Sequence, residues 1–289
     1  KQQDALDFFL AKHKLGSNSL DTSHVGTGKT VVAAHLANAL NRPVAVLCPK
    51  AVIPSWEREL KETGIEPLFV LNYEKIRTGR TDFMSKRGKK IMTWNLPKNT
   101  LVLVDEVHRC KGPYTQNAQL LVSLVAQGYS IHAMSATAAE DPPEMRPIGY
   151  ALGLHNLNKA EDGFKSWFGW MMQYGCSQNQ WNAWELRRKT KLSDLNKVMY
   201  GKNVKRLTVD DFPDSFKANR VFVEPIAFGS AAKIAKAYKD LDITPEIITN
   251  LLENGTVEDS DWVLVNLLRA RQLAESLKAK DMADMAKDY

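Results

Sequence analysis

The chain has 289 residues, 44% of them hydrophobic and 25% charged, with a formal net charge of +6. That length holds one large core, or a core with a smaller attachment, and the basic balance leans weakly towards a polyanionic partner while being common among ordinary enzymes. Cys48, Cys110 and Cys176 have no paired spacing, which argues against a disulfide framework or zinc cluster and fits a reducing compartment; no apolar run approaches the roughly 20 residues needed to cross a bilayer, no signal peptide is visible, and no membrane partner is expected.

In chain order, QQDALDFFLAKH predicts a helix, NSLD a short strand, and TVVAAHLANAL a helix with apolar residues at helical spacing. VAVLC at 44–48 reads as a strand, VIPSWERELKETG as a helix, and LFVL at 68–71 and LVLVD at 101–105 as strands. A helix is expected from about Gln116 to Val125, and SIHAMS at 130–135 as a fifth strand. Such alternation predicts a parallel sheet covered by helices, with its ligand crevice at the carboxyl ends of the strands. DPPEMRP after Ala139 breaks the pattern. The remainder reads as largely helical, with a strand-like NRVFVEPI, and Trp167, Trp170, Trp181 and Trp184 are expected in the core. Eight basic residues between Arg187 and Arg206 face one acid, Asp194, which reads as a solvated face or as a phosphate-backbone contact. The chain starts at Lys1 rather than methionine and ends in KAKDMADMAKDY, compatible with a segment missing at the front and a cut inside a helix at the end.

Between the first strand and its helix lies SHVGTGKT, 23–30. Gly26 and Gly28 allow a turn tight enough to point backbone amides at a phosphate; Lys29 would reach the outer phosphates and Thr30 would place its oxygen on magnesium. The full Walker pattern wants glycine where Ser23 stands, so the run matches over its second half only, and a glycine-rich turn that merely starts a helix is the alternative. The order strand, loop, helix favours the phosphate site. In LVLVDEVH, a buried strand runs into two acids: in a phosphate-loop protein Asp105 would hold magnesium, usually through a water, and Glu106 would orient and deprotonate the attacking water. A helix N-terminal pair is the plainer reading of the same acids. MSAT at 134–137 sets small hydroxyl residues after another strand, where they can hydrogen-bond His108 or the acids and report the γ-phosphate.

GTGKT at 26–30, DEVH at 105–108 and SAT at 135–137 resemble motifs I, II and III of the superfamily 2 helicases and nucleic-acid translocases, whose first motif often has the short GTGKT form. CPKAVIPSWEREL at 48–60 is similar to the motif Ia region of the Swi/Snf-like branch, VLNYEKI at 70–76 to its Ser-Tyr-Glu segment, and DEVHRCKG to its extended motif II, with Lys111 at the characteristic lysine. NVKRLTVDDFPDSFKANRVFVEP is similar to the stretch before the interdomain linker and LLRARQLAESLKA to the helix before the second motor domain. SATAAEDPPEM departs from the branch's Thr-Gly-Thr-Pro form, and the region after Lys159 is too divergent for residue-level transfer. A viral or bacterial protein fits better than a eukaryotic remodeller.

The resemblance implies an α/β RecA-like P-loop NTPase: a parallel sheet flanked by helices, with a mainly helical C-terminal extension. Residues 1–155 would be the first motor domain, and 156–289 an extension and linker towards a second RecA-like domain absent from this chain, which in the superfamily supplies an arginine for hydrolysis. It implies an ATP hydrolase, weak or inactive without that domain, using ATP and Mg2+. Gln2, Gly26, Thr27, Gly28, Lys29, Thr30 and Asp105 would bind the nucleotide, Thr30 and Asp105 the magnesium. Lys29, Asp105, Glu106 and His108 would be catalytic, and His108, Ser135 and Thr137 would couple the site to movement. Gln2 belongs to QQDAL, which looks like the segment that reads the adenine edge, an exposed polar pair being the alternative. Lys50, Asn72, Tyr73 and Lys111 would meet the polynucleotide, DNA rather than RNA, with KRGKK at 86–90 extending the track or forming a plain loop. The setting implied is the cytoplasm of a bacterium or virus-infected cell, or a nucleus if the source is eukaryotic. Rival readings are another phosphate-loop ATPase, such as a viral DNA-packaging motor, and a degenerate nucleic-acid-binding module; intact Lys29, Asp105 and Glu106 oppose the latter.

Overall fold

Three of the apolar runs are buried along nearly their whole length because helices cover both faces of the sheet they form. Strands β1 (Ser19–Asp21), β2 (Val44–Cys48), β3 (Phe69–Asn72), β6 (Leu101–Asp105), β7 (Ser130–Met134) and β10 (Val204–Lys205) pair in parallel in the order β10-β1-β7-β6-β2-β3. Side-chain alternation splits β2 and β6 between two cores. Ala45, Leu47, Val102 and Val104 face one, Val44, Val46, Leu101 and Leu103 the other. Continuous burial on both faces is the signature of central parallel strands.

The computed structural model describes residues 1–87, 91–157, 165–212, 230–244, 246–247, 249 and 260–285. Helices α1 (Gln2–Lys14) and α2 (Lys29–Leu40) pack together through Ala5, Phe9, Val32 and Leu36. Three alanines of α2, Ala33, Ala34 and Ala37, let it share the second face with Trp56 and Leu60 of α3 (Ile53–Glu62). The first face receives the short α4 (Tyr73–Arg77), α5 (Gln116–Ala126) and α6 (Arg146–Ala151). Asn72 and Thr115 cap α4 and α5 by accepting bonds from the Lys75 and Ala118 amides.

The five strands expected from sequence are present, each within a residue or so of its expected bounds. Two antiparallel hairpins were not expected: β4 (Met84–Arg87) with β5 (Ile91–Trp94), and β8 (Cys176–Gln178) with β9 (Trp184–Leu186). The segment after 155 is mainly helical, as expected, and its first part packs into the core of the sheet. Trp167, Trp170 and Met171 of α7 (Trp167–Gln173), Leu195 and Met199 of α8 (Lys191–Tyr200), and Val204 of β10 all join the sheet's first core. The chain accordingly divides into compact units at Lys1–Lys217 and Ala218–Tyr289, rather than at 155. Within the second unit, α9 (Ala231–Lys239) packs on α10 (Ser260–Met285), with Ala237, Ala270 and Ala274 buried. The strand-like NRVFVEPI and the last three residues of KRGKK lie outside the described residues. Among the described residues, no helix is long and apolar enough to cross a membrane.

Candidate active site

β1 ends in Asp21, a buried carboxyl that accepts the Ser23 amide at 2.8 Å and so starts the glycine loop. Burial raises its pKa against those Ser23 bonds and the Lys29 charge. Ser23, the departure from the Walker pattern, uses its hydroxyl to accept the Leu207 amide at 2.8 Å, which ties the loop to the chain beyond β10. Gly26 and Gly28 have φ of 81° and 91°, a conformation that a Cβ disfavours. At Gly28 a Cβ would also run into the Gln2 side-chain amide.

Gln2 lies over that loop, its Nε2 donating to the Thr27 carbonyl at 2.8 Å. Beside it a cleft of about 310 Å3 opens between α1 and α2, lined by Gln2, Leu6, Val31 and His35 among others. Lys29 folds back onto the loop, with Nζ donating to the Ser23 and His24 carbonyls at 2.8 and 3.0 Å. Thr27 ties its hydroxyl to the His24 carbonyl, and Thr30 sits half-buried in the first turn of α2. Glycines at positive φ, a lysine over the loop and the amino end of a twelve-residue helix make a donor set that suits a polyphosphate.

Asp105 ends β6, so sheet order brings it to the same edge as the loop, with β7 between its strand and β1. Its Oδ2 accepts the Trp56 indole N–H at 2.9 Å, its Oδ1 the Glu106 amide at 2.9 Å, and its carbonyl the Tyr73 hydroxyl at 2.5 Å. Burial raises the Asp105 pKa; the indole bond and the Lys29 charge oppose that, and Glu106 adds to it. Glu106 has φ of 51°, uncommon for a residue with a side chain. His108 Nδ1 lies 3.1 Å from Glu106 Oε2 and 3.0 Å from Ser135 Oγ, and Ser135 Oγ lies 3.4 Å from Glu106 Oε2. The Ser135 amide donates to the Asp21 carbonyl, and the Thr137 amide to the Ser135 hydroxyl. Thus Lys29, Asp105, Glu106, His108 and Ser135 share one sheet edge; Thr137 joins through its backbone and is itself exposed.

The residues expected along the polynucleotide track divide. Lys50 is exposed in the turn after β2, and Asn72 ends β3; the register pairs Cys48 with Asn72, which puts both on the carboxyl edge. Tyr73 corrects the expectation, since it is fully buried with its hydroxyl on Asp105 and has no surface to offer a backbone phosphate. Lys111 is at the surface, its ammonium paired within the chain to Glu144 at 2.8 Å and Glu140 at 3.8 Å. The roles of Trp56 and Asp21 were missed in the sequence, where a tryptophan 49 positions from its acceptor gives no signal beyond its place in the motif Ia helix. Also unforeseen is a cleft of about 650 Å3 lined by Thr22, Thr137, Asn196, Tyr200 and Arg206 among others.

No family model matches the chain. It is 27% identical over 266 residues to a protein of Acanthamoeba polyphaga mimivirus that carries the name of an ATP-dependent RNA helicase, covering 82% of this chain and 48% of that one. It is 24% identical over 123 residues to YqhH, an uncharacterized ATP-dependent helicase of Bacillus subtilis, covering 39% of this chain and 22% of that one. The chain thus spans about half the length of the first relative and less of the second. Two structures of the Sulfolobus solfataricus SWI2/SNF2 ATPase core, one in complex with dsDNA, align over 94% of this chain and 57% and 55% of theirs, at 16% identity and a TM-score of 0.49. The chain is thus similar in sequence to two proteins named as ATP-dependent helicases, and its fold is an α/β one, a parallel sheet flanked by helices that matches a RecA-like P-loop NTPase core.

Proposed function

We propose that the chain carries the first motor domain of an ATP-dependent DNA translocase or helicase. The observation that supports it most is the joint placement of Lys29 on its glycine loop and of Asp105, Glu106, His108 and Ser135 on one sheet edge. ATP would lie with its phosphates on the loop of Gly26, Thr27, Gly28 and Lys29 and its base in the cleft beside Gln2. Thr30 and Asp105 would hold magnesium, whose charge neutralises the phosphate oxygens when bound.

Glu106 is the base that takes a proton from the attacking water. His108 and Ser135 fix its carboxylate, and the Ser135 amide on the Asp21 carbonyl links that pair to the strand feeding the loop, a short route by which the state of the γ-phosphate reaches β7. A second RecA-like domain would close over this edge and contribute an arginine, so turnover by this chain alone is slow. Lys50 and Asn72, on the same edge, contact the backbone of one strand without base preference.

ATP turnover measured with duplex DNA, single-stranded DNA and RNA tests the reading, which expects stimulation by DNA. Stimulation by RNA alone would favour the second reading, suggested by the name of the mimivirus relative. Lys50→Ala should weaken binding to unrelated DNA sequences about equally and lower the salt-dependence slope by about one; an unchanged slope would place the strand elsewhere.

A further inference from the structure

The β8–β9 hairpin has no part in the chemistry above, yet its tip is built as a rigid mount. The Asn179 side chain accepts the Trp181 and Ala183 amides at 2.9 and 3.0 Å, the Asn179 amide donates to the Ala183 carbonyl at 2.9 Å, and Asn182 takes a left-handed φ of 59°. At the neck, the Arg187 and Arg188 amides both donate to the Gly175 carbonyl, and a Cβ on Gly175 would lie 2.7 Å from the Arg188 carbonyl oxygen. This mount presents Trp181 at 79% exposure. Sequence reasoning expected Trp181 in the core with its neighbours, and for Trp167 and Trp170 that holds.

Two clefts meet on the hairpin at Gln178. One, about 430 Å3, is aromatic: Tyr114, Phe168 and Trp184 line it, and Phe168 stacks on Trp184 with centroids 5.6 Å apart at 28°. The other, about 520 Å3, runs along the neck past Arg187 and Arg188. Arg187 is paired with Glu185 at 2.5 Å, whereas Arg188 and Lys189 are exposed with no carboxylate in ion-pair range among the described residues. Exposed rings that end in a basic groove are the pairing that single strands use, bases on π-faces and phosphates on cations.

We propose that this hairpin is a binding site for single-stranded nucleic acid, with a base stacked on Trp181, further bases along the aromatic cleft, and the backbone drawn to Arg188 and Lys189. The proposal rests on the translocase reading and adds to it a contact distinct from Lys50 and Asn72, one that requires unpaired bases. It gives the basic run from Arg187 a partner, where sequence alone also left a solvated face open.

The test is fluorescence anisotropy of a labelled short oligodeoxythymidylate, and of a duplex of mixed sequence, with the parent chain, Trp181→Ala, Trp181→Phe and Arg188→Ala. Loss of one stacked base should weaken single-strand binding by roughly 5- to 100-fold in Trp181→Ala, with Trp181→Phe within about 3-fold of the parent. Duplex binding should be unchanged in both, and Arg188→Ala should lower the single-strand salt slope by about 0.7. Equal single-strand affinity for the parent and Trp181→Ala, with both binding, overturns the hairpin site alone. Failure of the parent to bind either probe overturns it together with the translocase reading. A parent that self-associates in light scattering and becomes monomeric in Trp181→Ala, with oligonucleotide affinity unchanged, overturns it in favour of a protein contact.

Discussion

Asp105 is gripped from three directions: the Trp56 indole and the Glu106 amide donate to its carboxylate, the group proposed to hold a cation, and the Tyr73 hydroxyl donates to its backbone carbonyl. Because burial raises its pKa, protons compete for this carboxylate above the ordinary carboxylate range. Magnesium-dependent nucleotide affinity should therefore fall on acidification, with its onset above the ordinary Asp range. Trp56→Phe, which keeps the ring but removes the indole N–H, should move that onset to higher pH; calorimetric titrations across pH that superimpose for the two proteins would count against the role. Its stability cost should be about 1.5–3 kcal/mol, the range for a bond to a charged group. Glu106→Gln should leave ATP affinity nearly unchanged while steady-state turnover falls about 100-fold or more; unaltered turnover would remove Glu106 as the base. At this scale the sequence is readable where function forces a local pattern, as in GTGKT and DEVH. It is silent where a role depends on a partner far along the chain, as for Trp56, or where burial reverses the expectation, as for Tyr73.

Among the elements, α1 carries Gln2 at its start and is fastened at its other end by a buried polar cluster. His13 Nδ1 lies 2.9 Å from Ser130 Oγ and its Nε2 2.8 Å from Ser19 Oγ, which in turn lies 2.8 Å from His132 Nδ1. Burial lowers the His13 pKa to about 4 and the His132 pKa well below its usual value. With a depressed folded pKa, the stability from His13 is present above the unfolded value near 6.5 and is lost as pH falls through about 4. A difference of that size corresponds to about 3 kcal/mol. Asp21 and Asp105, with raised folded pKa values, act in the opposite sense: their contribution is present below the unfolded carboxylate value and lost as pH rises through the folded one. The His13 term is therefore isolated by difference. The gap in urea stability between the parent and His13→Gln should shrink as pH is lowered from 7 towards 4, and a constant gap would contradict the assignment. The central strands were legible because burial on both faces imposes unbroken apolar runs. The β4–β5 and β8–β9 hairpins were not, since partly exposed strands of three or four residues carry too little pattern to separate from loop.

Over the whole molecule, the sheet's edge strand β10 and the helices before it bind the stretch after 155 into the first compact unit, which is why a boundary drawn from the change in sequence texture near DPPEMRP fell inside a shared core. Texture follows local composition; a core is assembled by contacts such as Leu20 with Val204, 184 positions apart, which composition does not encode. The same long-range closure brings Leu207 onto Ser23 and so supports the glycine loop from the far end of the unit. In the proposed function, this loop and the Asp105–Glu106 edge form one site for magnesium ATP. Isothermal titration calorimetry of ATP in the presence of magnesium tests it most directly, with the parent beside Lys29→Ala and Asp105→Asn. The parent should bind saturably, Lys29→Ala at least about ten-fold more weakly because a charge is lost at the phosphates, and Asp105→Asn should lose the magnesium-dependent part of the affinity. Equal affinities in all three proteins would contradict it.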